Sequence, residues 1–267
     1  MAIFNDKKTL KYTIRISLFF IAVICEKVFL NSYFLACLAI LGFNIAIFIN
    51  IKNQPVYFEN HFKQIESLLS LFFTIKPDYP MPTTRGFAAS PDLLKKISEV
   101  VLNRKPGLVV EASSGVSTLM IAYCLRRIGS GKVVALEHDG KYAEISRELL
   151  RTHGLDDIAQ VIHAPLANVK IDGKDWLWYD TDLIDTENIP IDLLIVDGPP
   201  NNVQEYARFP ALPVLFDKLS SDCLVILDDV KRKDEQQAVE MWKNKYRFSS
   251  LEFLDFEKGA AIIHIEK

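Results

Sequence analysis

Gly107-Leu108-Val109-Val110-Glu111-Ala112-Ser113-Ser114-Gly115-Val116-Ser117-Thr118 is the stretch whose reading decides the fold. A short apolar run without alternation, Gly107 to Glu111, is the pattern of a strand buried on both faces, as in a parallel sheet. Small residues follow it, and then a helical pattern from Ser117 to Ile128. Small side chains let a backbone turn tightly and approach a ligand. The helix N-terminus that follows offers free N–H groups to an anion such as a carboxylate.

The same alternation continues along the chain. Strands are expected at Lys132 to Glu137, Gln160 to His163, Ile191 to Val196 and Cys223 to Leu227, and helices at Lys141 to His153, Ala207 to Leu219 and Asp234 to Tyr246. Upstream, Ser90-Pro91-Asp92 is a helix start, with Ser as N-cap, Pro at the first helical position and an acid at the positive end of the dipole. Short apolar strands alternating with helices specify a doubly wound α/β sheet of parallel strands. The end departs from this: Ser249 to Phe256, Lys258-Gly259 and Ala260 to Ile265 read as an antiparallel hairpin closing the sheet.

In such sheets ligands bind beyond the carboxyl ends of the strands. The second strand ends in Glu137-His138-Asp139, where an acid placed 20–30 residues after a small-residue turn would hold a ribose diol, pointing to an adenosine-containing ligand. Asp197 ends the strand at Ile191 to Val196, and Asp228 and Asp229 end the one at Cys223 to Leu227. Converging carboxylates repel unless something positive lies among them, and oxygen ligands suit Mg²⁺. Without a metal, Asp197 would serve as a base and Asp228 or Asp229 would cap the following loop. Trp176, Trp178 and Tyr179 precede the fourth strand, on a loop whose aromatics would stack on an acceptor ring or cap the core. A dinucleotide site needs G-x-G-x-x-G and meets Ser113, Gly115 and Thr118, so a nicotinamide-dependent oxidoreductase is a distant alternative.

With Ile191-Asp192-Leu193-Leu194-Ile195-Val196-Asp197-Gly198-Pro199-Pro200 and Leu224-Val225-Ile226-Leu227-Asp228-Asp229-Val230 added, residues 85–267 resemble class I S-adenosylmethionine-dependent methyltransferases. The terminal reversed hairpin is the hallmark of that fold, which has a mostly parallel seven-stranded sheet. The resemblance is to the small-molecule O-methyltransferase branch, whose strands end in Glu-x-Gly-x-Gly-x-Ser, Asp-Gly and Asp-Asp. It implies that Glu111 with Ser113, Gly115, Ser117 and Thr118 holds the methionine part, that Glu137 chelates the ribose, and that His138 or His163 lies near adenine. It implies a catalytic Asp197, a Mg²⁺ on Asp197, Asp228 and Asp229 where a metal is used, and pocket-flanking positions for Arg85 and Arg208, which would otherwise be ordinary surface arginines. The expected reaction is methyl transfer to a hydroxyl of a small molecule, glycan or lipid-linked precursor. Ser113 stands where the family has its first glycine, which keeps open a non-catalytic scaffold on the same fold.

The rest of the chain is different in kind. Of 267 residues, 49% are hydrophobic and the formal net charge is −3, yet residues 1–54 carry six basic side chains against two acidic, a balance of +4 that leaves −7 for the remainder. An acidic body with no basic stripe excludes nucleic acid as a partner, whereas a basic, apolar foot suits an anionic membrane surface. Val28 to Ile49 carries no charge and is long enough to cross a hydrocarbon core of about 30 Å. Residues 1–54 are therefore expected to form a membrane anchor of transmembrane helix, as one span or as a hairpin turning around Glu26 to Ser32. The hairpin keeps both basic flanks, and the catalytic body, on the cytoplasmic side where S-adenosylmethionine is kept. Pro55 is expected to end the anchor. Residues 55–84 then hold an amphipathic helix with Phe58, Phe62, Ile65, Leu69 and Phe72 on one face, widened by Leu68 and Leu71, expected to pack on the body, on lipid or on a second copy as a homodimer. A proline-rich linker, Lys76 to Pro82, follows it. Four cysteines sit singly in apolar runs, which indicates neither a disulfide scaffold nor a zinc site.

Overall fold

A computed structural model describes residues 7–30, 34–184 and 189–267; side chains at 7–13, 26–37, 50–51 and 53–57 are not described. The chain forms two compact units, Met1–Phe62 and Lys63–Lys267.

The first unit is built from α1 (Lys7–Leu30) and the start of α2 (Phe34–Ile75). Phe20 and Phe43 meet edge to face with centroids 6.1 Å apart, which sets the two helices side by side. The expected turn falls partly on residues 31–33, outside the described residues. Of the expected span Val28 to Ile49, residues 28–30 end α1 and residues 34–49 open α2. Among the described residues no helix is long and apolar enough to cross a membrane, which corrects the expectation of transmembrane helices. Pro55 does not end the helix: α2 continues through it to Ile75, since an internal proline removes one N–H donor without forbidding the next turn.

In the second unit, the end of α2 packs on its own core. Leu71 and Ile75 join the core, and buried Gln64 exchanges two hydrogen bonds with Asp92, its Nε2 donating to Oδ2 at 2.8 Å and its Oε1 accepting from the Asp92 N–H at 3.2 Å. Of the apolar stripe read from the sequence, Leu71 is thus buried, while Ile65, Leu69 and Phe72 are exposed. Gln64 can be buried because it finds its polar partner in Asp92, so polarity alone does not tell which residues of this helix face inward.

Beyond the linker come α3 (Pro91–Arg104), β1 (Leu108–Ala112), α4 (Val116–Ile128), β2 (Lys132–Glu137), α5 (Gly140–Thr152), β3 (Ala159–His163), β4 (Leu166–Ile171), β5 (Lys174–Tyr179), β6 (Ile191–Val196), α6 (Ala211–Leu215), β7 (Leu219–Asp228), α7 (Lys233–Lys245), β8 (Arg247–Leu254) and β9 (Ala260–Glu266). Seven strands form one sheet in the order β3-β2-β1-β6-β7-β9-β8, parallel except for β9, which runs antiparallel to both β7 and β8. This is the expected Rossmann-like fold with its reversed terminal hairpin. Alternate residues of each strand feed opposite cores: Val109, Val133, Leu193 and Ile226 pack with α3, α4 and α5, while Val110, Val134, Leu194 and Val225 pack with α6, α7 and the hairpin β4–β5. Burial on both faces is why these strands read as unbroken apolar runs.

Two departures matter for the site. The helix expected over Ala207 to Leu219 shrinks to α6 and a short 3₁₀ turn, because Pro210 and Pro213 each lack a donor and the segment before them turns to bring Arg208 inward. The insertion before β6 is a hairpin, β4–β5, closed by Asp172 and Gly173 at positive φ (51° and 81°). Asp-Gly between alternating apolar residues is a hairpin signal that was readable in the sequence.

Candidate active site

The carboxyl ends of β1, β2, β6 and β7 lie together, as the register Ala112↔Leu136, Ala112↔Val196 and Val196↔Leu227 requires. Glu111 is fully buried. Its Oε2 accepts from the Thr118 hydroxyl at 2.6 Å, and Thr118 in turn accepts from the Gly115 N–H at 3.1 Å, so the loop is closed onto the strand it leaves. The other carboxylate oxygen, Oε1, is buried with no hydrogen-bond partner. Burial pushes Glu111 up to about 7 against the opposing hydroxyls of Ser117 and Thr118, while nearby Glu137 adds to the rise. An orphaned buried acceptor next to a helix N-terminus suits a ligand carrying both an ammonium and a carboxylate.

Ser113 has φ of 124°, and Gly115 has 140°. The first value explains why a glycine is natural at position 113: the backbone there takes a conformation that a side chain strains.

Glu137, at the end of β2, is 6% exposed. It accepts from the Asp139 N–H at 3.1 Å and from the Ser114 hydroxyl at 3.1 Å. The His138 Nδ1 lies 3.0 Å from Glu137 Oε1. His163 ends β3 directly beside Glu137 in the register and packs its ring against Gly140, where an added Cβ would meet it at 3.3 Å. The structure thus brings Glu111, Ser113, Gly115, Ser117 and Thr118 together at the β1–α4 junction, and Glu137, His138 and His163 to its flank.

Asp197, Asp228 and Asp229 converge as expected, each able to offer an oxygen within 4.8 Å of the others. Arg208, expected at the pocket's flank, is instead 4% exposed and lies among them. Its Nη2 donates to Asp229 Oδ2 (2.7 Å), to Asp197 Oδ1 (3.1 Å) and to the Asp197 carbonyl (3.0 Å), and its Nη1 donates to the Asp228 carbonyl (2.9 Å). Arg232 reaches Asp229 Oδ2 at 2.9 Å, and Lys258 Nζ stands 4.0 Å from Asp228 Oδ2. Burial lifts Asp197 to about 6 although Arg208 pulls it down. Burial and the neighbouring Asp197 and Asp229 carboxylates hold Asp228 well above the usual carboxylate range, and its Oδ2 has no hydrogen-bond partner.

The expected acceptor contact at Trp178 is corrected, and Arg85 has a partner in the terminal hairpin. Arg85 pairs through Nε with both carboxylate oxygens of Glu257 in the β8–β9 turn, at 3.0 and 2.9 Å. Trp178 is fully buried in the core with its ring edge to face on Tyr179, so it presents no surface to a ligand. Two other residues lie near the acids: Lys258, which the sequence did not single out, and Tyr179, one of the three aromatics that it did. Lys258 donates to the Ala88 carbonyl at 3.0 Å and faces Asp228; the pairing Asp228↔Ala260 carries the turn there, which no local pattern reveals. Tyr179 packs its hydroxyl against Gly198, where an added Cβ would clash at 2.2 Å, and its ring lies 6.1 Å from that of His138. Its hydroxyl is pushed well above its ordinary value, first by burial and then by Glu137.

A family model described as a methyltransferase domain matches residues 112–230. No curated protein matches the sequence. Among solved structures, the chain is similar to an O-methyltransferase from Bacillus cereus in complex with SAH (16% identity, 75% of this chain and 91% of that one, TM-score 0.52). It is also similar to a SAM-dependent O-methyltransferase from Thermotoga maritima (13% identity, 68% of each chain, TM-score 0.51). A third is an SAH-bound methyltransferase from Podospora anserina (16% identity, 75% and 88% covered, TM-score 0.50). At these identities the structural likeness establishes the fold, that of class I methyltransferases, and the domain match supports methyl transfer from S-adenosylmethionine.

Proposed function

We infer that this chain is an S-adenosylmethionine-dependent methyltransferase that methylates a hydroxyl of a small molecule, glycan or lipid-linked precursor. The observation that carries the reading is the buried, half-unpartnered Glu111 beside the Ser113–Thr118 loop, set one strand away from Glu137. An amino acid and a ribose are the two ends of this cofactor, and the loop and Glu137 supply one carboxylate for each. His138 and His163 border the adenine end.

The reacting end lies toward Asp197. A carboxylate titrating near 6 can accept a proton from an acceptor hydroxyl at neutral pH. Asp228 and Lys258 face each other across 4.0 Å, with the orphaned Asp228 Oδ2 available to orient that hydroxyl. Mg²⁺, when bound to three such acids, lowers a hydroxyl's pKa and orients it. The donor set Asp197, Asp228 and Asp229 fits such an ion, but the charges around it do not, because each acid already faces a fixed cation in Arg208, Arg232 or Lys258. No step of this reading runs through a metal.

The N-terminal unit acts as a lipid anchor. Its support is the outward apolar surface of both helices, with Leu18, Ile21 and Ile24 on α1 and Leu41 and Phe48 on α2 more than half exposed, together with the +4 charge. The catalytic unit belongs on the cytoplasmic side, where the cofactor is kept; a reporter fused after Lys267 that is active only outside the cytoplasm would contradict this.

Incubating the chain with methyl-labelled S-adenosylmethionine and with membrane and soluble extracts tests the function. The expected product is a labelled methyl ether. Tight cofactor binding with no label transferred to any fraction would instead favour a non-catalytic scaffold.

A further inference from the structure

The acidic cluster holds its own positive charge. Two of the three convergent acids, Asp197 and Asp229, are bonded to one guanidinium nitrogen of Arg208. Arg208 is buried, keeps its proton under all ordinary conditions, and is further held by the carbonyl oxygens of Asp197 and Asp228. Glu235 stands on its other side, with Oε1 3.8 Å from Arg208 Nε. The groups facing Arg208 from β6, β7 and α7 are thus all acceptors, which fixes the guanidinium in place. A divalent ion entering among these oxygens would have to break those bonds and remain beside a guanidinium that cannot leave by losing a proton.

We propose that Arg208 is the resident cation of this site, holding Asp197 and Asp229 in the arrangement that a divalent ion would otherwise hold, so that the acceptor hydroxyl is received without a metal. The acceptor part of this inference rests on the methyltransferase reading above. The transfer balances without an added ion: the acceptor oxygen forms a bond to the methyl carbon, the carbon–sulfur bond breaks with its electron pair returning to sulfur, and the hydroxyl proton passes to the Asp197 carboxylate. Arg208 touches none of the reacting atoms in this scheme; it is a positioning residue. An acceptor activated in this way is a neutral alcohol at its reacting end, because the surrounding carboxylates disfavour an anionic group there.

Electron paramagnetic resonance of Mn²⁺ titrated into the full chain tests this without an acceptor. The wild-type chain is expected to leave the free Mn²⁺ signal unchanged at millimolar ion. Arg208→Met is expected to take up one Mn²⁺ per chain, and the double variant Arg208→Met/Asp228→Asn to lose that uptake. Calorimetry with S-adenosylhomocysteine on each variant reports whether the neighbouring cofactor loop is intact. Where Arg208→Met does not fold, Arg208→Lys serves, and it is expected to exclude Mn²⁺ as the wild type does. Uptake of one Mn²⁺ by the wild-type chain that disappears in Asp228→Asn overturns the proposal, as does a folded Arg208→Met that takes up none. A wild-type chain that binds neither Mn²⁺ nor S-adenosylhomocysteine would count against the methyltransferase reading while leaving the charge argument standing.

Discussion

Replacing Glu111 by Gln should stabilise the free protein and weaken its grip on the cofactor, and both effects should depend on pH. Burial lifts this carboxyl from its ordinary 4.5 to about 7. Between those values the folded chain keeps a proton that the unfolded chain has released. The contribution of Glu111 to stability is therefore complete below about pH 4.5 and lost as pH rises through about 7, a loss of about 3 kcal/mol at about 1.4 kcal/mol per pH unit. The neutral amide of Glu111→Gln escapes that loss. At pH 8 the variant should melt higher by about 6–12 °C, the usual response of a unit of this size to such an energy. Cofactor binding runs the other way. An ammonium placed at the orphaned Oε1 favours the ionised carboxyl, whose fraction rises from about one tenth at pH 6 to about nine tenths at pH 8, so affinity for S-adenosylhomocysteine should rise about tenfold over that range. Glu111→Gln should flatten the rise and bind about 10- to 100-fold more weakly at pH 8. Comparison with the variant separates Glu111 from Asp197, which titrates near 6. Calorimetric titrations at pH 6 and pH 8, with thermal melts of both proteins, measure all four quantities. A wild-type affinity that is flat between those pH values, or a folded Glu111→Gln that binds as tightly as the wild type, would refute the reasoning.

Ser113→Gly should relieve the strain of φ at 124° and raise stability by about 1–2 kcal/mol, seen as a melt about 2–8 °C higher with cofactor affinity retained. Glu137→Gln should weaken S-adenosylhomocysteine binding about 10- to 100-fold by removing the charge from a ribose contact; an unchanged calorimetric Kd in the folded variant would take the ribose away from this residue. Trp178→Phe should cost on the order of 1–3 kcal/mol of stability in a denaturant titration, because it empties core volume without breaking a hydrogen bond, and should leave cofactor affinity untouched.

The strands at the centre of the sheet were legible because burial on both faces writes itself as an unbroken apolar run, and a strand end is then only a matter of where the run meets an acid. Glu111, Glu137, Asp197 and Asp228 all stand at such ends. The reversed hairpin was legible for the same reason, with Gly259 at φ of 75° marking its turn. What the sequence hid is long-range. Arg208 sits in an ordinary-looking segment, and its partners come from β6 and β7, so nothing near it in the chain announces a buried guanidinium. Lys258 reaches Asp228 only through the pairing of β9 with β7. Trp178 and Tyr179 are neighbours on one strand and share one core, but the Tyr179 hydroxyl also reaches Gly198, next to Asp197, a placement that becomes readable only once β5 is recognised as a strand. The inward face of α2 was legible only in part: Leu71 belongs to the apolar stripe, but the buried Gln64 beside it is satisfied by Asp92, a partner that hydrophobic periodicity does not count.

The central claim is that the ends of β1 and β2 form a site for S-adenosylmethionine. Calorimetric titration of the full chain with S-adenosylmethionine at pH 8 measures it directly. One molecule should bind per chain, more weakly in both Glu111→Gln and Glu137→Gln. The absence of any binding heat at millimolar ligand, in a chain whose melt shows it folded, would contradict the account.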